Sequence, residues 1–334
     1  MTADPISPDT IRNLIPNAGA NPKIVQLAGD ASTRRYYRVF LKDGGSAIIM
    51  SARDPAEVAD FTTMTGLMKD FGADVPAILG AHGACLALED LGDTLLQNRV
   101  ADMSEAEILT EYRAVVDDLV RFQREVSSFT LRTHPCFGRS FDVEKLAWEV
   151  DFAHQHFIRG YLRLPPNPAA MEAFGKEWER IIADLASEME TLAHRDFHSR
   201  NIMAIGGRRV WIDYQDARMG RRLYDLASLL LDPYVALAPG VIEKLLDHYY
   251  GRLVENGEAP WDRARFRELF DLSGLQRIYK ALGTYGYQAT IRGVDVYVPY
   301  IEPSMRTLLR ISQSRKECGR LNEIFSEMPL KRKP

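Results

Sequence analysis

Beyond Pro22 the chain reads as short strand-like runs rich in apolar, aromatic and β-branched positions, over 23–28, 35–42 and 46–51, the last two joined by Asp43-Gly44-Gly45. This pattern predicts three antiparallel strands with a hairpin turn between the second and third. A helical period takes over across 55–71, where Val58, Phe61, Met64, Leu67 and Met68 recur on one face. Two further strands are expected over 77–81 and 85–89. A short helix over 10–15, capped by Ser7 or Asp9, precedes the first strand.

After Leu88-Glu89-Asp90-Leu91-Gly92-Asp93 the strand pattern gives way almost entirely to a helical period. Helices are expected over 94–100, 105–126, 137–161, 169–192, 223–231, 241–254, 263–289 and 303–325. The 105–126 segment is the clearest, with Ile108, Tyr112, Val115, Val116, Leu119 and Phe122 in one stripe. The change of pattern predicts an α+β chain of two lobes. A small antiparallel-sheet lobe covers 1–90, a hinge lies at 88–92, and a larger helical lobe covers 93–334. The length of 334 residues exceeds one typical core and agrees with two.

One segment departs from the helical pattern. His194-Arg195-Asp196 is followed by Asn201, five residues beyond Asp196. Then come the apolar pair Ile202-Met203, a Gly206-Gly207 turn, the strand 209–212 and Asp213. A hairpin there returns Asp213 beside Asn201. Phosphoryl transfer asks a protein for position and charge neutralisation more than for covalent chemistry. Asp196 fits the carboxylate that orients an acceptor hydroxyl and takes its proton, and Asn201 and Asp213 fit oxygen ligands of Mg2+ on ATP. His194 and His198, spaced i and i+4, also suggest zinc, but the glutamate that such a helix needs at its second position is missing. Asp225 is expected to favour a helix N-terminus or bond back toward Arg195, and Asp216 is either a loop cap or an aid to the metal.

The polar turn Gly29-Asp30-Ala31-Ser32-Thr33-Arg34-Arg35 is either a plain hairpin with solvated arginines or a cradle for a polyphosphate. The extended stretch at 88–93 suits a flat adenine ring. Aromatic density across 137–161 suits a helical core or a platform for a sugar ring. The net charge of −4 gives no basic face for nucleic acid. Three widely spaced cysteines, no signal-like start and no long apolar run point to a reduced, cytoplasmic protein without a membrane span.

GDASTRRYYRV (29–39), LALEDLGD (86–93), HRDFHSRNIM (194–203), IDYQDARMG (212–220), YDLASLL (224–230) and LFDLSGLQRIYKALG (269–283) together resemble the aminoglycoside phosphotransferase and choline kinase superfamily. Within it they are most similar to the anomeric N-acetylmuramate and N-acetylglucosamine kinases of cell-wall recycling. The resemblance implies a bilobal protein-kinase-like fold, ATP and Mg2+ as cofactors, and a small sugar as substrate of a monomer. It implies Asp196 as catalytic base, Asn201 and Asp213 as metal ligands, Ser32, Thr33, Arg34 and Arg35 as phosphate loop, and Glu89 to Leu91 as adenine hinge. Met50 stands where that superfamily's strand lysine is expected, so Arg34 or Arg35 is the candidate cation and Glu57 has no assigned role. Asp142, Glu149, Asp271, Gln276 and Arg277 are the acceptor-contact candidates. A kinase of an aminoglycoside, choline or other metabolite, and a non-catalytic nucleotide-binding protein, are the alternatives.

Overall fold

The computed structural model describes residues 6–19, 21–27, 34–129, 133–165, 168–187 and 191–329. It forms two compact units, Met1–Leu96 with Asn201–Gln215, and Gln97–Arg200 with Asp216–Pro334.

In the first unit, α1 (Pro8–Leu14) begins at Ser7, whose hydroxyl accepts the Thr10 N–H. The strands β1 (Ile24–Gln26), β2 (Arg35–Phe40) and β3 (Ser46–Ser51) precede α2 (Pro55–Asp70), and β4 (Ile78–His82) and β5 (Cys85–Glu89) follow it. They form one antiparallel sheet in the order β1-β2-β3-β5-β4. Alternation sorts its side chains. Val39, Ala47, Ile49 and Ala87 pack under Ile11, Leu14 and Ile15, while Tyr36 and Met50, paired across β2 and β3, belong to the other face. Burying each larger apolar side chain contributes roughly 1.5–3 kcal/mol.

The hairpin of Ile202–Ile205 and Arg208–Trp211 belongs to this unit, although its place in the sequence assigned it to the helical lobe. Its docking is a backbone matter. The Ala204 N–H donates to the Thr94 carbonyl at 2.9 Å and the Trp211 N–H to the Asp74 carbonyl at 2.7 Å. Leu91 packs with Met203 and Val210, and Arg208 reaches Asp74 and Glu89. Through Leu96 the chain is therefore one unit, and the expected boundary at 88–92 falls inside it.

The second unit is helical. After the short α3 (Leu96–Arg99) come α4 (Glu105–Ser128), begun by a Ser104–Glu107 capping box, and α5 (Val143–Ala153), capped by Asp142. Next are α6 (Pro168–Leu185), α7 (Arg222–Leu230), α8 (Pro239–Glu255), α9 (Arg263–Thr290), α10 (Ile301–Ser314) and α11 (Gly319–Glu327). Three expectations change here. The helix foreseen over 137–161 starts only at Val143, because Asp142 caps it, and widens into a π-helical turn at His154–Tyr161. Leu192, foreseen in a helix, lies in Thr191–Ala193, a buried strand paired with Arg218–Gly220. The last helix foreseen is two, α10 and α11, separated by a 3-10 turn at Lys316–Cys318.

The 28-residue α9 packs along α5, the π-helical turn and α7. Gly283 and Gly286 make this close approach possible. A Cβ on Gly283 would lie 2.5 Å from the Ala153 Cα, and one on Gly286 would lie 2.4 Å from the His156 carbonyl oxygen.

Candidate active site

Asp196 follows the strand Thr191–Ala193 through a tight turn in which Arg195 adopts φ 84°. Non-glycine residues rarely hold such a conformation unless their surroundings fix it. Asp225, in the first turn of α7, supplies the restraint: its two carboxylate oxygens accept the N–H of His194 at 2.7 Å and of Arg195 at 3.0 Å. A second buried carboxylate, Asp232, accepts the Ser199 N–H at 2.9 Å and its hydroxyl at 2.5 Å. The segment carrying Asp196 is thus tied at both ends.

From α9 the Lys280 Nζ reaches Asp196 Oδ1 at 2.9 Å, and the Arg277 guanidinium lies 3.8 Å away. Burial pushes the Asp196 carboxyl upward, but Lys280, Arg277 and Arg195 together outweigh it and hold the group well below the usual carboxylate range. Burial lowers His198 to about 3, so its imidazole is neutral.

Beside this, Glu149 on α5 is almost fully buried. It accepts the Gln276 amide at 2.9 Å and pairs with Lys145 at 3.3 Å and Arg195 at 3.6 Å. Three of the five acceptor candidates therefore gather in one network: Glu149 and Gln276 directly, and Arg277 at Asp196. The other two have structural partners. Asp142 accepts the Lys145 N–H as the cap of α5, and Asp271 on α9 pairs with Arg315 at 2.5 Å and Arg267 at 3.5 Å.

In the first unit, the hairpin register sets Ile202 opposite Trp211, and the Ile212 N–H donates to the Asn201 carbonyl at 3.0 Å. Asn201 and Asp213 are one ladder step apart. Asp213 takes φ 65° and its Oδ1 accepts the Gln215 amide at 2.8 Å. The next residue, Tyr214, is buried against Phe61 at 5.4 Å between ring centroids and bonds Thr65 at 2.8 Å, which anchors this strand end on α2. One carboxylate and one amide oxygen at the adjoining ends of the hairpin suit a hard divalent ion that takes its remaining ligands from phosphate and water.

Ser32 and Thr33 lie outside the described residues. Arg34 is described, and its guanidinium pairs with Glu57 of α2 at 3.9 Å. Glu57, which sequence left without a role, also holds Arg53 at 2.8 Å. Arg34 bonds the Tyr36 hydroxyl, whose acidity is weakened by burial and also feels Asp213. Since Tyr36 pairs across the sheet with Met50, Arg34 lies on the face to which Met50 belongs. Arg35 is exposed and pairs with Ser51. At the expected hinge, Glu89 bonds Arg208 at 2.6 Å and accepts the Ala77 N–H at 3.1 Å, while Leu91 is a core residue.

The sequence pattern of the phosphotransferase enzyme family matches residues 23–269. The chain belongs to that family. An N-acetylmuramate/N-acetylglucosamine kinase of Neisseria meningitidis serogroup B is 26% identical to this phosphotransferase over 306 residues, 90% of this chain and 89% of its own. A choline kinase from Cryptosporidium parvum Iowa II superposes with a TM-score of 0.61 at 13% identity, covering 96% of this chain and 98% of that one. Amicoumacin kinase hAmiN, solved with AMP-PNP, Ca2+ and Ami, superposes with a TM-score of 0.59 at 14% identity, covering 92% and 89%. These superpositions establish the protein-kinase-like α+β fold.

Sequence reading missed Lys280, Asp232 and Lys145, the partner of Glu149. Lys280 has a signal in the sequence, as a second cation three residues beyond Arg277 on the same face of α9. Asp232 had one too, as a carboxylate closing the Leu229-Leu230-Leu231 run.

Proposed function

We propose that this phosphotransferase uses ATP and Mg2+ to phosphorylate the anomeric hydroxyl of an N-acetylated amino sugar, N-acetylmuramate or N-acetylglucosamine, in cytoplasmic cell-wall recycling. The carrying observation is Asp196, held ionised by Lys280 and Arg277 and followed five residues later by Asn201, itself one ladder step from Asp213. The name of the Neisseria relative supports the acceptor, and the complex of amicoumacin kinase with AMP-PNP and Ca2+ supports a nucleotide and a divalent ion. Among the described residues no helix is long and apolar enough to cross a membrane.

In this reading Asn201 and Asp213 hold Mg2+, which neutralises phosphate charge. Arg34, braced by Glu57, supplies the cation that the strand lacks at Met50. The acceptor oxygen forms its bond to the γ-phosphorus as the bond from that phosphorus to the bridging oxygen of ADP breaks, and the hydroxyl proton passes to Asp196. A carboxylate this weakly basic takes the proton late, once the acceptor oxygen has lost electron density to phosphorus. Its earlier contribution is to orient the hydroxyl.

ADP release measured with each sugar tests the proposal. Both should stimulate release, and Asp196→Asn should abolish most turnover while nucleotide still binds. Stimulation by an unrelated alcohol and by neither sugar would overturn the acceptor assignment.

A further inference from the structure

Three cations of the second unit meet where their own carboxylates do not balance them. Lys145 and Arg195 share the buried Glu149; Arg195 also feels Asp196, which Lys280 and Arg277 already neutralise, and reaches Asp216 at 3.8 Å, but Asp216 is more than half exposed. Arg218, beside them, packs its guanidinium over the Phe141 ring at 5.4 Å. The Nε–H groups of Arg195 and Arg218 are both buried and have no acceptor among the described residues. Such donors are costly unless a partner arrives.

The charges also act against one another. Burial lowers Lys145 from the usual lysine range, and Arg195 and Arg218 lower it further against the pull of Glu149. Burial and Arg195 likewise lower Arg218, outweighing the pull of Glu149 and Asp216. Beside Lys145 on the same face of α5 stands Trp148, an indole 54% exposed with the Lys145 ammonium 4.0 Å from its centroid. Large exposed aromatic faces next to polar groups suit a sugar ring.

We propose that Lys145, Arg195 and Arg218 seat a carboxylate carried by the acceptor, with Trp148 against the sugar ring. The proposal rests on the kinase reading and narrows it to a preference for an acidic amino sugar. N-acetylmuramate is N-acetylglucosamine with a lactyl ether, so the two sugars differ at the group these cations would hold. Cationic acceptors such as choline and aminoglycosides are disfavoured by the same charges.

Two measurements on the full chain separate this proposal from the kinase reading. In turnover assays the wild-type enzyme should prefer N-acetylmuramate by kcat/KM, and Lys145→Met or Arg218→Gln should reduce that preference about tenfold or more, mainly through KM. Turnover of both sugars without preference leaves the kinase reading intact and overturns the carboxylate seat. An equal loss of kcat on both sugars also overturns it, because the cations would then serve the transferred phosphoryl group. Independently of turnover, D-lactate should shift the arginine Nε–H resonances of Arg195 and Arg218 in 15N-labelled protein, while neutral lactamide should not. If neither sugar is phosphorylated, the kinase reading fails and this titration alone decides: a selective shift supports the seat, and no shift overturns it.

Discussion

Both oxygens of Asp225 accept backbone N–H groups of the turn that presents Asp196, one from His194 and one from Arg195. A buried carboxylate one turn into a helix thereby holds a neighbouring residue in a left-handed conformation. Asp225→Asn keeps the shape but turns an N–H of the amide toward one backbone donor. We expect a stability loss of about 1–3 kcal/mol, read by urea unfolding, with a fall in kcat larger than any change in KM.

Asp225 and Asp196 bias stability in opposite pH directions. Burial lifts Asp225 to about 6, above the ~3.9 of an unfolded aspartate. Its contribution is full below ~3.9 and is lost as pH rises through about 6. Asp196 is depressed, so its contribution is present above ~3.9 and is lost as pH falls through its lower folded value. Activity follows a different logic: protonating Asp225 removes one acceptor from the catalytic turn. An acid limb of kcat near pH 6 is expected from Asp225, and Asp225→Asn should abolish that limb. Retention of the limb in the variant would assign it elsewhere.

Lys280 is the leading charge that keeps Asp196 ionised. Lys280→Met should raise the Asp196 pKa and lower kcat by about tenfold to a hundredfold. The pH profile of kcat checks it, since the variant should gain an acid limb that belongs to Asp196.

Arg34, rather than Arg35, should carry the phosphate charge. It is part-buried, pairs with Glu57 and bonds Tyr36, whereas Arg35 is an exposed residue at the start of β2. Arg34→Ala should reduce kcat/KM for ATP by about 10²–10³, and at least about tenfold more than Arg35→Ala does. Glu57→Gln should produce a smaller loss in the same direction. Equal effects at the two arginines would refute the assignment.

The elements that sequence made legible are those whose pattern is local. β3 and β5 fall at their expected bounds because each is a short apolar run of five or six residues with a turn beside it. Asp196, Asn201 and Asp213 stand out by their spacing, and the adjacency of Asn201 and Asp213 follows from the short hairpin between them. What sequence withheld depends on distant partners. The strand Thr191–Ala193 has no alternation, as all three residues are buried, and its mate lies at 218–220. The hairpin joins the first unit through backbone bonds to Thr94 and Asp74, which leave no side-chain signature. The role of Lys280 emerges only when α9 meets the turn that carries Asp196.

Gly283→Ala and Gly286→Ala should each cost about 1–3 kcal/mol and lower kcat, because the obstructing Ala153 Cα and His156 carbonyl oxygen are main chain and have no rotamer to escape into. Denaturant midpoints and turnover check this.

The bare backbone at Gly283 and Gly286 also acts as a mechanical datum. Most functional side chains inherit the looseness of whatever side chains support them. Lys280, less than one turn before Gly283, is instead referenced to peptide groups touching peptide groups, with no hinged spacer in the stack. The placing of its Cα is then gauged by main-chain stiffness, and substituting the side chain of Lys145 or Trp148 would not reset that gauge.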